Sequence, residues 1–117
     1  MHIDEVREFC ISQKGVTEGF PFDDTTLVFK VMGKIFALLT LAGELRINLK
    51  CDPEKAIELR EQHEFIIPGY HMNKKHWNTI FLNSCNDDKL LKDLIINSYD
   101  LVVQSLTRKL RDELASI

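Results

Sequence analysis

Leu27-Val28-Phe29-Lys30-Val31-Met32-Gly33-Lys34-Ile35-Phe36-Ala37-Leu38-Leu39-Thr40-Leu41-Ala42-Gly43-Glu44-Leu45-Arg46-Ile47-Asn48-Leu49-Lys50 is the stretch that decides the fold. Residues 27–32 are rich in β-formers and predict a strand. Met32-Gly33 then predicts a tight turn, with the glycine free to take a positive φ. Residues 35–41 form a second, almost wholly apolar strand, and Ala42-Gly43 a second turn. In residues 45–50 the pattern alternates: Leu45, Ile47 and Leu49 point one way, and Arg46, Asn48 and Lys50 the other. Three consecutive strands with short turns predict an antiparallel meander. One face of such a sheet can stay open to water, and Lys30, Arg46 and Lys50 are the candidates for it. A bulge would overturn that parity.

Working outward, residues 4–14 predict a helix capped by Asp4, with Ile3, Val6, Phe9 and Cys10 on one face and Gly15 ending it. Phe20-Pro21-Phe22 is an extended connection and Asp23-Asp24-Thr25 a turn. On the other side, Asp52-Pro53 is a strong helix start, for a helix running to about residue 61. Residues 64–67 resume a strand, which Pro68-Gly69 breaks. Residues 70–75 are irregular, and 77–82 form a further strand. Asp87 caps a long last helix, with Leu91, Leu94, Ile95, Leu101, Val102 and Leu106 as its apolar stripe. The order α-β-β-β-α-β-β-α predicts one α+β domain over residues 1–117: a two-layer α/β sandwich with an antiparallel sheet.

Composition supports a globular chain. Of 117 residues, 44% are hydrophobic and 28% charged, and the net charge is −3. That total argues mildly against nucleic acid, but the charges are uneven. Residues 30–50 carry one acid against four bases, and residues 66–86 carry no acid and two bases. The three cysteines, Cys10, Cys51 and Cys85, are far apart and form no Cys-x-x-Cys pair, which predicts free thiols in a reducing compartment. No membrane partner is expected, because no apolar run approaches the roughly 20 residues a membrane helix needs. The acidic start Met1-His2-Ile3-Asp4-Glu5 does not resemble a signal peptide, so the cytoplasm is the expected location.

The most unusual stretch is Pro68-Gly69-Tyr70-His71-Met72-Asn73-Lys74-Lys75-His76-Trp77. Aromatic and ammonium groups in one turn are what a polyanion or a stacked base would use. The same pattern also suits a loop anchored on the core by Tyr70 and Trp77. His71 and His76 have no neighbouring Cys, Asp or Glu to complete a ligand set, so no metal is expected. No serine sits in a nucleophile elbow, and Gly33-Lys34 lacks the rest of a phosphate loop. No catalytic residues and no cofactor are expected.

These residues carry a resemblance. Phe20-Pro21-Phe22, Phe29-Lys30-Val31, Gly33-Lys34-Ile35-Phe36-Ala37, Leu49-Lys50-Cys51-Asp52-Pro53, residues 68–80 and Ser98-Tyr99-Asp100-Leu101-Val102, in this order, resemble the MmcQ/YjbR-like family of small bacterial proteins over nearly the whole chain. Asp23 departs from a frequent glycine and Thr107 from a common proline. The resemblance implies a two-layer fold like that of type III secretion chaperones and double-wing DNA-binding domains, with DNA as partner and no agreed reaction or cofactor. It also implies a surface made of Lys30, Lys34, Lys50, His71, Asn73, Lys74, His76 and Trp77, to which the residue pattern adds Arg46, Tyr70 and Lys75. The expected function is a monomeric, non-catalytic nucleic-acid-binding module. The alternative is a chaperone-like protein-interaction module. A small-ligand site around His71, His76 and Trp77 ranks third.

Overall fold

The hairpin that opens the meander is closed by two residues only. Met32 (φ 49°) and Gly33 (φ 86°) are both left-handed, and Val31 pairs with Lys34 across them. Two positive φ values in a two-residue loop define a type I′ turn, whose twist matches that of the strands it joins. A computed structural model describes residues 1–117. Its elements are α1 (Ile3–Ile11), β1 (Val16–Gly19), β2 (Thr26–Val31), β3 (Lys34–Thr40), β4 (Arg46–Lys50), α2 (Pro53–Gln62), β5 (Ile66–Pro68), β6 (Trp77–Phe81), a 3₁₀ turn (Leu82–Ser84), α3 (Asp88–Ser105) and α4 (Arg108–Ala115). The α+β class and the antiparallel sheet are as expected. The sheet has six strands in the order β1-β2-β3-β4-β6-β5, every pair antiparallel.

The order of elements is richer than α-β-β-β-α-β-β-α. Val16–Gly19 adds an edge strand paired with β2. The last helix is two helices: Leu106 leaves the helical conformation and the Thr107 hydroxyl accepts from the Leu110 N–H, capping α4. At the other end the cap of α1 is His2 rather than Asp4. Its ring accepts from the Asp4 N–H while Glu5 accepts from the His2 N–H, a reciprocal capping box.

Registers define the faces. The row Leu27, Leu39, Ile47, Ile80 and Ile66 runs across five strands and is buried against the helices. Val6, Cys10, Ala56, Leu59, Leu91, Ile95 and Val102 complete this core from α1, α2 and α3. One residue along, the row Val28, Leu38, Asn48, Thr79 and Ile67 faces outward. Between Phe29 and Lys30 the β2–β3 register slips, leaving Phe36 without a partner on β2. This bulge lets Phe36 and Ala37 both enter the core, where Phe36 meets the Tyr99 ring edge-on at 5.5 Å.

Ser98 of α3 bridges the strands beside the bulge. Its hydroxyl donates to the Phe36 carbonyl at 2.6 Å and accepts from the Lys50 N–H at 2.8 Å. No helix of the chain is long and apolar enough to cross a membrane.

Candidate binding cleft on the outer face of the sheet

The outer face has no helix on it, yet its centre is not open. Val28 is 1% exposed and Thr79 is fully buried. Two loops, 20–25 and 69–76, fold over the strands and leave between them a cleft of about 350 Å³. Its floor carries Thr26, Thr40 and Arg46, aligned on β2, β3 and β4, with Leu38 and Asn48 in the next row. Phe22 and Asp23 line it from the first loop, and Tyr70, His71 and Met72 from the second.

The second loop is pinned by a closed ring of hydrogen bonds. The Tyr70 N–H donates to the Thr79 hydroxyl (2.9 Å), which donates to the Asn48 side-chain oxygen (2.5 Å). The Asn48 amide nitrogen in turn donates to the Tyr70 carbonyl (3.1 Å). Every buried polar group of this set is thereby satisfied, which makes the loop position a rigid one. Gly69 seats the loop on Trp77, its N–H donating to the Trp77 carbonyl at 2.8 Å. His71 follows in the left-handed region (φ 59°), where a non-glycine residue is strained. That conformation brings its ring within 4.1 Å of the Tyr70 ring centre. The Arg46 guanidinium lies over the other aromatic partner, 5.0 Å from the Tyr70 centroid.

The first loop is organised by Asp23. Its Oδ1 accepts from the Thr25 N–H (3.0 Å) and the Thr26 N–H (2.7 Å), and its Oδ2 from the Thr26 hydroxyl (3.2 Å). The bond from the Thr25 N–H, followed by that from Thr26, holds this carboxyl below its ordinary range, so it stays ionised. The cleft therefore sets an anionic acceptor on one wall and a guanidinium donor towards the other.

The basic residues named from the sequence separate in space. Arg46, Tyr70 and His71 meet at the cleft. Lys50 and Trp77 are register partners further along the same strands, and both are half-buried. Lys30 faces Phe20 and Pro21 over a separate depression near β1. Lys34 leaves the surface imagined for it: its partner Val31 points into the core, and its ammonium reaches the Ser105 carbonyl at the end of α3 (3.3 Å). A cation is favourable at a helix C-terminus, which accounts for that position.

Lys74 also serves the loop itself, donating to the Gly69 carbonyl (3.2 Å), while Arg60 holds the Lys74 carbonyl (3.3 Å). Asn73 is a turn residue whose side chain accepts from the Lys75 and His76 N–H groups. The His76 carbonyl accepts from the Cys51 N–H at the end of β4. Lys75 is exposed, and its only hydrogen bond is through its backbone N–H.

Sequence reasoning missed Phe22, Asp23, Thr26, Leu38, Thr40, Asn48 and Met72 as cleft residues. The available signal was Phe22, an aromatic in an extended connection that no apolar pattern required to be buried; it is 66% exposed.

Comparison with known proteins bears on the family. A family model described as YjbR matches residues 11–101. The uncharacterized protein YbdF of Escherichia coli O157:H7 is 44% identical over 91 residues, covering 77% of this chain and 75% of that protein. The uncharacterized protein YjbR of Escherichia coli K12 is 30% identical over 118 residues, the full length of both. A Deinococcus radiodurans protein of known crystal structure superposes with a TM-score of 0.89 at 42% identity, covering 97% of this chain and 87% of its own. A Pseudomonas syringae protein does so with a TM-score of 0.75 at 28% identity, covering 86% and 98%.

Proposed function

The chain belongs to the YjbR family, and for this member we propose a non-catalytic nucleic-acid-binding function exercised by the outer face of the sheet on single-stranded segments. One observation carries the reading: the half-exposed Tyr70 ring, with Arg46 stacked over it, borders a cleft of about 350 Å³ lined also by Phe22 and His71. Exposed aromatic rings accept unstacked bases of any sequence, and a neighbouring cation attracts the phosphates. A duplex offers no free base faces to such a surface. The outer face of the sheet carries no helix to enter a major groove.

Lys30 lies apart, over the depression near β1, and the free cations nearer the cleft are few. Arg46 and Lys50 lie four residues apart on one strand, about 13 Å at about 3.3 Å per residue, and Lys75 stands on the loop. Three phosphate contacts on a single strand correspond to a salt slope of about −2 in log affinity against log salt. The net charge of −3 agrees with such a shallow, weak mode.

Fluorescence anisotropy with labelled single- and double-stranded oligonucleotides over a salt series tests this. Single strands should bind with that slope. Tyr70→Ala and Arg46→Ala should each weaken binding by on the order of tenfold, as loss of one stacked base does. Lys34→Ala should change nothing. Lys75→Ala is the informative lysine variant, because Lys74 also holds the loop together. Equal binding by wild type and Tyr70→Ala, or no binding at low salt, would overturn the proposal.

A second reading, a protein-interaction module, is supported by Phe20 and Phe22, which are 49% and 66% exposed beside the cleft. It predicts a complex recovered by size exclusion from nuclease-treated lysate and lost in Phe22→Ser.

A further inference from the structure

We infer that the outer-face cleft is a guanine pocket, in which Asp23 reads the pairing edge of the base and Arg46 its O6/N7 edge. The inference rests on the proposed placement of the ligand between the two loops and adds to it a chemical identity.

A carboxylate only accepts hydrogen bonds and a guanidinium only donates them. Asp23 commits Oδ1 to two backbone N–H groups and Oδ2 to the Thr26 hydroxyl alone, which leaves acceptor capacity on Oδ2. Arg46 spends one N–H on the Glu44 carbonyl at 3.4 Å and keeps the others. Asp23 sits on the loop that leads into β2 and Arg46 at the start of β4, with β3 between those two strands. Both line the cleft of about 350 Å³, a volume that leaves room for a purine.

The base edges then discriminate. Guanine presents two adjacent donors, N1–H and N2–H₂, on one side and two adjacent acceptors, O6 and N7, on the other. Adenine interleaves donor and acceptor on both edges. Thymine flanks its single N–H with carbonyls, and cytosine has one donor group. Only guanine matches an acceptor-only carboxylate on one edge and a donor-only guanidinium on the adjoining one. Aromatic walls from Phe22 and Tyr70 and the apolar floor at Leu38 suit a flat ring. The turn N–H groups keep Asp23 ionised, so it cannot switch to a donor and accommodate O6 or O4 in its place.

The chemistry is shared by a guanine in a strand and a free guanine nucleotide, and the test separates them. A labelled short oligo-dT strand carrying one central dG is compared by anisotropy with strands carrying dA, dC, deoxyinosine or dT there. GMP is titrated alone, followed by the amide shifts of Thr26, Thr40 and Asn48. The dG strand should bind on the order of tenfold tighter than the dA, dC and dT strands, the discrimination expected of a paired edge contact. Deoxyinosine, which lacks the N2 amine, should fall between. Asp23→Asn keeps the turn's acceptor and should erase the preference for dG; Arg46→Lys keeps the charge and should weaken it. Thermal melts of both variants verify that they are folded.

Equal, salt-dependent affinity for all strands would overturn the guanine inference and leave the nucleic-acid reading standing. GMP binding at the three named amides without binding of any strand would support the pocket and overturn that reading. Binding of neither would overturn both.

Discussion

A methyl group on Gly69 would sit 2.7 Å from Trp77 Cβ and 2.9 Å from the Trp77 carbonyl oxygen. Neither can move without shifting β6. Gly69→Ala should therefore cost about 2 kcal/mol in urea unfolding, the size of a core overpacking, and an unchanged midpoint would contradict the seating described. His71 presents the opposite case. Its left-handed backbone costs about 1 kcal/mol or more, and its ring lies against Tyr70 at the cleft. His71→Gly should raise the melting temperature while weakening oligonucleotide binding. A variant with both properties improved would show that the strain has no use. Tyr70 and His71 stood out in the sequence because their turn gathers aromatic, imidazole and ammonium groups, a pattern that suits a ligand as well as an anchored loop. The roles of Lys34 and Lys74 were not. Strand parity reports where a Cα–Cβ bond points, whereas a lysine ammonium at the end of four methylenes can turn back to a carbonyl.

At the level of elements, the meander was legible because apolar alternation and two glycine-bearing turns agree on it. What escaped is short or subtle. Val16–Gly19 has only four residues, of which Glu18 and Gly19 are poor strand formers, and it is a strand because β2 offers it an edge. The break between α3 and α4 is hidden because the apolar stripe continues through Leu106 and Leu110. Thr107, a departure from the common family residue, turns out to be the cap that makes the break. The bulge at Phe36 is invisible to a period of two. Its consequence is testable through Ser98, fully buried, whose hydroxyl serves the Phe36 carbonyl and the Lys50 N–H. Ser98→Ala leaves both buried groups unpaired and should destabilise by about 2 kcal/mol or more. Faster hydrogen exchange at the Lys50 amide would locate the loss, and protection equal to wild type would argue against the bridge.

For the molecule as a whole, the buried thiols should open the alkaline limb of stability, with Tyr99, also raised by burial, following at higher pH. Burial pushes Cys10 up to about 12, and also raises Cys51 and Cys85. A thiol raised in the folded state contributes stability that is complete below its unfolded value of about 8.5 and is lost as pH climbs towards the folded one. The urea midpoint should thus hold to about pH 8 and then fall. Cys10→Ala should make that fall shallower by about 1.4 kcal/mol per pH unit between roughly pH 9 and 11; parallel curves would reassign it. The α+β class and the antiparallel sheet were readable from composition and pattern together. The cleft was not, because it is formed by two loops 44 or more residues apart that only the strand order brings together. That order has one more consequence. One edge of the sheet is the four-residue β1, running into Phe20-Pro21, and the other is the three-residue β5, which ends on Pro68 and cannot lengthen. Short, proline-bounded margins give an incoming chain little backbone to pair with, which disfavours β-augmentation. Such margins direct recognition towards side chains that meet a partner broadside, and they protect the sheet against edge-to-edge growth of its own copies.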